Sequence, residues 1–366
     1  MEIEYVEIKC VNGCVTTKRV ITAQAPGLFD YDQRLDLLLK HGDPLSRLDA
    51  VVDWDIFLPL IESARAGVTE PQGPGGRPAW PARVLLKLLI LQRLYHLSDA
   101  QAEFQLLDRL SFQRFVGLSL ADKAPDQNTL HLFREQLTKT GVQQQLFDAF
   151  GAHLAEQGLL PKEGCMIDAT FVEVPRQRNT RSENATIKGG QIPAEWADDP
   201  KKMAHKDVDA RWTKKNEETY YGYKDHVKVN ATTKLIETAV VTTASVHDSQ
   251  VVEQLIQPGD EVVFADSAYA GAPVAATLEA KAVAGCIVQP ARRGTPLTED
   301  EQATNREVSR VRARVEHPFA LMSGQAGRIF QRYVGRARNA AAIVMLNLVY
   351  NIQRFEQIQR LQLQPR

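Results

Sequence analysis

Two acidic residues in the second half of the chain lie where a carboxylate could do chemistry. Asp168 falls within Gly164–Val174, an alternating run rich in β-branched and aromatic residues that predicts a strand. Both faces of this strand are apolar, so the carboxylate should be protonated, paired or bound to a cation. Asp266 follows the apolar run 262–264, and ligands of open α/β sheets gather at the carboxyl ends of strands. Asp168 could also be an ordinary strand residue that faces solvent or pairs with an arginine.

A third carboxylate, Glu316, lies in a predicted helix among several arginines. Three acids in one site would raise one another's pKa unless cations were present. Mg²⁺ prefers oxygen ligands and keeps coordination positions for phosphate oxygens. Two such ions, about 3.5–4 Å apart, can clamp the attacking and leaving oxygens of a phosphoryl displacement. We therefore predict that Asp168, Asp266 and Glu316 are catalytic residues that bind Mg²⁺, with Mn²⁺ as a substitute.

The predicted elements around these acids alternate between strands and helices. A hairpin is predicted over Tyr220–Asn230 and Leu235–Thr243, and helices are predicted over 273–284, 301–325 and 339–361. This order indicates an α/β fold with a mixed sheet. The polar passage 176–218 has little periodicity and is interpreted as an inserted loop with two basic clusters, Lys201–Lys202 and Lys214–Lys215. Near the hairpin, Asp248 is interpreted as a helix cap and His226 as an ordinary sheet histidine.

The N-terminal half has helical patterning. Pro81–Leu97 carries a broad apolar face at helical spacing, and similar patterns extend over about 35–158. We expect a mainly helical domain over 1–158 and a catalytic domain over 159–366. Basic side chains on the N-terminal helices and their loops could form a solvated polar face or a surface that faces DNA. They are Arg77, Arg83, Lys87, Arg93, Arg109, Arg114 and Arg134.

Charge is distributed unevenly, although the net charge is only −1. Residues 302–366 contain eleven arginines and no lysine against three glutamates, which favours a polyanionic partner for this end. The four cysteines lack the spacing of a disulfide framework or a structural zinc site. The N-terminus has no apolar signal segment, and the apolar run 340–349 is too short to span a bilayer. We expect a cytoplasmic protein without membrane contact.

These motifs together resemble the bacterial insertion-sequence transposases of the DDE type, in the insertion-sequence-5 group. The resemblance covers nearly the whole chain. It is carried by PDQNTLHLFR, MIDATFVEVP, DARWTKKN, YYGYKDHVKVN, VVTTASVHDS, VVFADSAYAG and VRARVEHPFALM. It implies an RNase H-like catalytic core with an N-terminal helical domain that binds DNA ends and a basic, helical C-terminus.

The resemblance assigns the two aspartates of the motif to Asp168 and Asp266 and its glutamate to Glu316. Arg312 fits the arginine of the related Tyr-x₂-Arg-x₃-Glu-x₆-Lys signature, whereas Ser309 and Ser323 replace its tyrosine and lysine. Arg312 should therefore either contact a DNA phosphate or form a helical ion pair with Glu316. Further DNA contacts are expected from nearby basic residues, which are Arg310, Arg314, Lys214, Lys215 and Arg328.

The implied activity is cleavage at the terminal inverted repeats of a mobile element and joining of the freed 3′-OH to target DNA. The implied partners are double-stranded DNA, both the terminal inverted repeats and the target, and a second copy of the chain when two ends are paired. The implied location is the cytoplasm, in association with the nucleoid. Two alternatives stay open: a domesticated nuclease that cuts without joining, and a catalytically silent repressor that only binds. Nicking with Mg²⁺ separates both enzymes from the repressor, and a joined product separates the transposase from the nuclease.

Overall fold

The fold is taken from a computed structural model that describes residues 3–9, 15–21, 27, 29–66, 78–215, 217–291, 296–324 and 327–363. Arg77, one of the basic residues noted above, lies outside these ranges. A two-stranded antiparallel ribbon precedes the helical half, formed by β1 (Ile3–Lys9) and β2 (Val15–Ile21). Eight helices follow: α1 (Asp30–Lys40), α2 (Pro44–Val51), α3 (Leu58–Ala66), α4 (Ala82–Leu94), α5 (Asp99–Asp108), α6 (Leu110–Val116), α7 (Gln127–Thr140) and α8 (Val142–Glu156).

The second half alternates strands and helices. Its elements are β3 (Cys165–Glu173), α9 (Arg181–Lys188), α10 (Ala194–Ala197), α11 (Pro200–His205), β4 (Arg211–Lys215), β5 (Glu218–Asn230), β6 (Ile236–Thr243), α12 (Val252–Leu255), β7 (Val262–Ala265), α13 (Ala272–Ala280), β8 (Ala284–Ile287), α14 (Glu299–Arg312), α15 (Glu316–Ser323), β9 (Ile329–Phe330) and α16 (Arg336–Leu361). The predicted mixed α/β fold is confirmed.

One sheet unites these strands, and β3 lies near its centre. The long strand β5 pairs antiparallel with β3 along one edge and with β4 and β6 along the other. On the opposite edge of β3, two short strands pair in parallel with its two ends: β7 with Cys165 and Met166, and β9 with Val172 and Glu173. β8 continues the sheet beyond β7. The middle of β3, which contains Asp168, therefore lies between its pairings with β7 and β9.

The C-terminal helix α16 lies between the sheet and the helical half. Its apolar residues belong to one hydrophobic core that also includes residues of α2–α8, β3, β5 and β6. Three buried asparagines face neighbouring elements, among them Asn351, whose side chain both donates to and accepts from the backbone of Ile236 at 2.8 Å. This paired hydrogen bond fixes α16 against the edge strand β6, so the helix holds the sheet against the N-terminal helices.

The sequence prediction was wrong for passage 176–218, which is not a plain loop. It contains α9, α10, α11 and β4. Thr180 and Glu183 form a reciprocal capping box at the start of α9, and Trp196 is fully buried, with its indole nitrogen donating to Glu183. These local anchors order a segment that has no long apolar periodicity.

The predicted single helix 301–325 is interrupted. α14 ends at Arg312, a 3-10 turn spans Ala313–Val315, and α15 begins at Glu316. Pro318 supplies the physical reason, because it has no N–H to donate and its ring crowds the carbonyl group four residues earlier. Within the described residues, the structure contains no helix that is long and apolar enough to cross a membrane.

Candidate active site

Asp168 lies within β3, and Asp266 directly follows the neighbouring parallel strand β7. β3 and β7 pair with Cys165 opposite Val263 and Met166 opposite Phe264. The negative charge of Asp266 acts on Asp168, so the two carboxylates are close. Asp266 is the first residue after β7, so the aspartates meet where the pairing of β3 with β7 has ended. The structure thus brings together the two acids that the sequence predicted from separate strands.

Each aspartate has local hydrogen bonds that fix its orientation. Asp266 caps the 3-10 turn Ser267–Tyr269, where its Oδ1 accepts from the backbone N–H of Ala268 at 2.9 Å. Asp168 accepts from the N–H of Ala169 at Oδ1 (2.8 Å) and from Arg312 Nη1 at Oδ2 (3.0 Å). The pairing of Asp168 with an arginine is one of the outcomes expected for a carboxylate in this strand.

Asp168 is electrostatically strained in the folded protein. The pKa of Asp168 is raised to about 6, chiefly by burial and also by the negative charge of Asp266, while the Ala169 hydrogen bond, Arg312 and Lys215 oppose the rise. Only 15% of the Asp168 side chain is exposed. A buried carboxylate beside a second carboxylate is an arrangement that a bound cation stabilises.

Arg312 connects this pair of aspartates to the C-terminal helices. It is the last residue of α14 and reaches Asp168 across 144 positions of sequence. The sequence allowed a helical ion pair between Arg312 and Glu316, but the ion pair that the structure describes is with Asp168. Arg312 therefore lies beside the aspartate pair, where its guanidinium could contact either Asp168 or a phosphate.

Glu316 is placed differently from the two aspartates. It begins α15, one turn after Arg312, and its side chain is exposed. Among the residues that the structure describes, no three His, Cys, Asp or Glu side chains are grouped so that they could hold one metal ion. The structure therefore assembles two members of the predicted triad and leaves the third at the adjoining helix start.

The two assembled carboxylates suit one hard divalent cation. Mg²⁺ is commonly held by one or two protein carboxylates, with water and substrate phosphates as its remaining ligands. Tyr269 is fully buried beside them, and its pKa is raised well above the ordinary value, first by burial and then by the charges of Asp168, Asp248 and Asp266. Its hydroxyl has no hydrogen-bond partner within the described part of the chain. This unpaired polar group fits a site that binds a further ligand.

Sequence analysis missed a polar network on β5 behind the aspartates. Lys224 donates to Asp248 Oδ1 and to the carbonyl of Val246, each at 2.8 Å. The interpretation of Asp248 as a cap was wrong, because the side chain of His247 caps that turn and Asp248 pairs with Lys224. The signal was present in the sequence: Lys224, His226 and Lys228 alternate along one face of a predicted strand, and the structure buries all three.

His226 is a buried sheet histidine, as expected. Its Nε2 lies 2.8 Å from Thr242 Oγ1. Burial lowers the pKa of His226 to about 4, so the ring is neutral near neutral pH. Its Nδ1 is 3.7 Å from Asp248, which places the ring behind that carboxylate.

The predicted DNA-binding residues are dispersed around the site. Lys215 is exposed on β4, lies 5.9 Å from the centroid of the Phe171 ring and acts electrostatically on Asp168. Phe171 itself stacks on Tyr220 with ring centroids 4.1 Å apart. Arg314 donates to the carbonyl of Ala231 at 3.1 Å, which holds the 3-10 turn 313–315 to the turn that follows β5. The other predicted contacts are exposed: Lys214, Arg310 and Arg328, the last of which lies 3.8 Å from Glu173.

The raised pKa of Asp168 predicts a pH-dependent stability in metal-free buffer. Between the unfolded pKa of 3.8 and the folded pKa of about 6, the folded chain binds more protons, so stability decreases as pH rises through this window. Ionisation of Asp168 should cost about 3 kcal/mol of unfolding free energy. Asp168→Asn removes this titration, so its melting temperature relative to the wild type should increase by a few degrees from about pH 4 to about pH 7.

Thermal unfolding of both proteins across this pH range, with EDTA present, measures the effect. A difference in melting temperature that stays constant with pH would show that Asp168 titrates at its ordinary pKa in the folded chain.

Comparison with known proteins gives matches over both halves of the chain. The family model described as "Transposase DDE domain" matches residues 160–352, just over half of the chain, and this range includes Asp168, Asp266, Arg312 and Glu316. A second model, described as "Transposase domain (DUF772)", matches residues 33–136 in the helical half. Among solved structures, the chain is similar to the cryo-EM structure of the piggyBac transposase synaptic complex with hairpin DNA, with a TM-score of 0.45 and 12% identity. That similarity covers 88% of this chain and 77% of the piggyBac chain.

Proposed function

Because the chain belongs to the transposase DDE domain family, we propose that it cleaves DNA at the ends of a mobile element and joins the freed 3′-OH to target DNA. The observation that carries the proposal is the closeness of Asp168, in the middle of β3, to Asp266, which directly follows the neighbouring parallel strand β7. Within the family, the motifs MIDATFVEVP and VVFADSAYAG favour a bacterial insertion-sequence-5 element. The mixed sheet, with β5 antiparallel and β7 and β8 parallel to β3, supports an RNase H-like core.

Asp168 and Asp266 would hold a divalent cation, for which we propose Mg²⁺, with Mn²⁺ as a substitute. Such an ion, when bound, stabilises negative charge on the phosphoryl group under attack. We assign the third acid to Glu316, since one helical turn separates it from Arg312, which contacts Asp168. The exposed position of Glu316 leaves its carboxylate available to substrate and cation alike.

The protein's own contribution is positioning and electrostatics, since no side chain is required as a nucleophile. Lys215 and Lys224 lie near the ring of Phe171, which stacks on Tyr220, and Lys215 provides positive charge that acts on Asp168. We propose that the DNA backbone passes over this surface, with Arg310, Arg314, Lys214 and Arg328 as outer phosphate contacts. Backbone contacts of this kind fix register and orientation, and base sequence is read separately.

The helical half, about residues 1–158, is proposed to recognise the terminal repeats, and residues 159–366 to carry catalysis. A homodimer on paired ends would let two such sites act together. The setting would be the nucleoid, where both the element and its targets lie.

Incubation of the full chain with duplexes that carry the repeats flanking its own gene tests this function. In Mg²⁺, a transposase should nick at the repeat boundary and yield a product joined to a target plasmid. Nicking without joining would identify a nuclease, and binding without nicking would identify a repressor, and either result would contradict the proposal.

Arg312→Ala tests whether the arginine acts on DNA or on Asp168. If Arg312 holds a phosphate, the substitution should weaken binding to end DNA and reduce the slope of log affinity against log salt by about one. If its role is to stabilise ionised Asp168, the slope should stay unchanged while the nicking activity shifts to higher pH, because Arg312 lowers the pKa of Asp168.

Binding isotherms at several salt concentrations, together with a pH profile of nicking, distinguish these roles. Arg312→Lys is the control, since it keeps the charge and loses the paired hydrogen bonds of a guanidinium. If neither the slope nor the pH profile changed in Arg312→Ala, the contact with Asp168 would have no functional role.

A further inference from the structure

A cavity of about 600 Å³ lies between the helical half and the segment that follows β9. It is lined by the end of α4, the start of α5, one residue of α7 and residues 330–333. Neither Asp168 nor Asp266 lines this cavity. Its lining includes three arginines and one carboxylate, which are Arg93, Arg134, Arg332 and Asp99.

Arg93 is buried without a charged partner. It is 9% exposed and donates to Tyr333 Oη at 2.6 Å and to Gln331 Oε1 at 3.4 Å, both of which are neutral groups. Its Nε has no hydrogen-bond partner, and no carboxylate pairs with Arg93 within the described residues. A guanidinium cannot lose its proton to escape burial, so a positive charge in this position is costly unless an anion approaches it.

Arg134, in the lining of the same cavity, has the carboxylate partner that Arg93 lacks. Its two terminal nitrogens bind the two carboxylate oxygens of Asp99 at 2.5 and 2.8 Å. The ring of Tyr333 lies between the two guanidinium groups, with its centroid 5.2 Å from Arg93 and 5.1 Å from Arg134. Asp99 therefore neutralises Arg134 alone, and Arg93 together with the exposed Arg332 leaves the lining with an excess of positive charge.

We propose that this cavity is an anion site that receives a phosphate group of DNA, with Arg93 as its buried contact and Arg332 at its rim. Guanidinium groups match phosphate oxygens through charge-assisted, paired hydrogen bonds. The ligand class is a phosphate ester, and one carboxylate among three arginines disfavours a cationic or neutral ligand.

The position of the cavity favours DNA as the source of the phosphate. Phe330 lines the cavity and pairs with Glu173, which lies five residues beyond Asp168 on β3. Five residues of strand span about 16 Å. DNA presents a phosphate every 3.4 Å or so along each strand, so a duplex held at Asp168 would carry several phosphates past the cavity. This step rests on the proposed function, because it takes DNA to be bound at the aspartate pair.

Arg93→Gln tests the site through binding, with no catalytic step involved. Affinity for a short duplex of random sequence should fall about tenfold, and the slope of log affinity against log salt should become shallower by about one. Arg332→Gln, at an exposed residue, should change the slope in the same direction. Arg181→Gln, at an exposed arginine of α9 that does not line the cavity, removes the same charge outside the helical half and should leave the slope unchanged.

Inorganic phosphate provides the second measurement. At equal ionic strength, phosphate should displace DNA from the wild type more effectively than chloride does, and this difference should disappear in Arg93→Gln. Wild-type slopes in both Arg93→Gln and Arg332→Gln would overturn the proposal. If phosphate raised the melting temperature through Arg93 while the DNA slopes stayed unchanged, the site would serve a free phosphate and the assignment to DNA would be wrong.

Failure here is separable from failure of the proposed function. Loss of nicking in Asp168→Asn with wild-type DNA affinity in Arg93→Gln would remove the anion site and keep the catalytic assignment. A wild-type chain that bound no DNA would instead contradict the proposed function itself.

Discussion

Asp266→Asn is expected to abolish nicking of end-containing DNA, with a loss of at least about 10³-fold, while DNA affinity changes by less than about twofold. The asparagine keeps the size of the side chain and retains an oxygen that can cap the turn at Ala268, so the fold should persist. What it removes is one of the two negative charges that meet between β3 and β7. Asp168→Asn should have the same effect, since neither charge alone would hold the cation tightly.

Substitutions at three other carboxylates test whether the effect is specific to the predicted acids. Glu316→Gln should also abolish nicking, and Glu307→Gln, at an exposed residue of the same helical region, is its matched control and should be fully active. Asp248→Asn breaks the ion pair with Lys224 and should reduce activity only partly. Full activity in Asp266→Asn together with an inactive Asp248→Asn would show that Asp248 is the second acid.

An active Glu316→Gln has a separate meaning. Asp168 and Asp266 would then form the acidic site without a third carboxylate. This agrees with the described residues, in which no three potential metal ligands are grouped. The assignment of Glu316 would then be wrong, although the reaction class would stand.

The strands that carry the aspartates were predictable because their signals are local. Alternating apolar residues between a glycine and a proline located β3 almost to the residue, and a short apolar run located β7. The general rule that ligands gather at the carboxyl ends of strands in open α/β sheets marked Asp266 as a candidate site residue. The closeness of Asp168 to Asp266 depends on strand pairing across almost a hundred residues, so the sequence alone could not supply it.

Burial was the harder property to predict. α4 has the broad apolar face that was read from the sequence, yet Lys87, Gln92 and Arg93 on its other side are buried as well. The cause is distant in sequence, because α16 and the segment after β9 pack against this helix. For Arg93, the expected alternatives were a solvated face and a DNA-facing surface. The buried arginine lines a cavity, so the solvated face was wrong, and the DNA-facing alternative stays a prediction.

Metal removal is expected to have the other large effect: nicking should vanish in excess EDTA and return on addition of Mg²⁺ or Mn²⁺. Two adjacent carboxylates, one with its pKa raised to about 6, form a site that is unstable when empty and ionised, and a cation offsets the repulsion. Cleavage that persisted in excess chelator would contradict metal-dependent phosphoryl transfer.

Binding of the ion can also be measured without catalysis. Mg²⁺ at ten times its Kd should stabilise the wild type by about 1.4 kcal/mol and raise its melting temperature accordingly. Because protons compete for Asp168, whose pKa is about 6, this stabilisation should be larger above that pH than below it. Asp266→Asn removes one ligand and should lose most of the stabilisation at every pH, whereas Glu307→Gln should keep it. Equal Mg²⁺ stabilisation in the wild type and in Asp266→Asn would show that the ion binds elsewhere on the chain. Arg312 would then be the group that balances the charge of the aspartate pair.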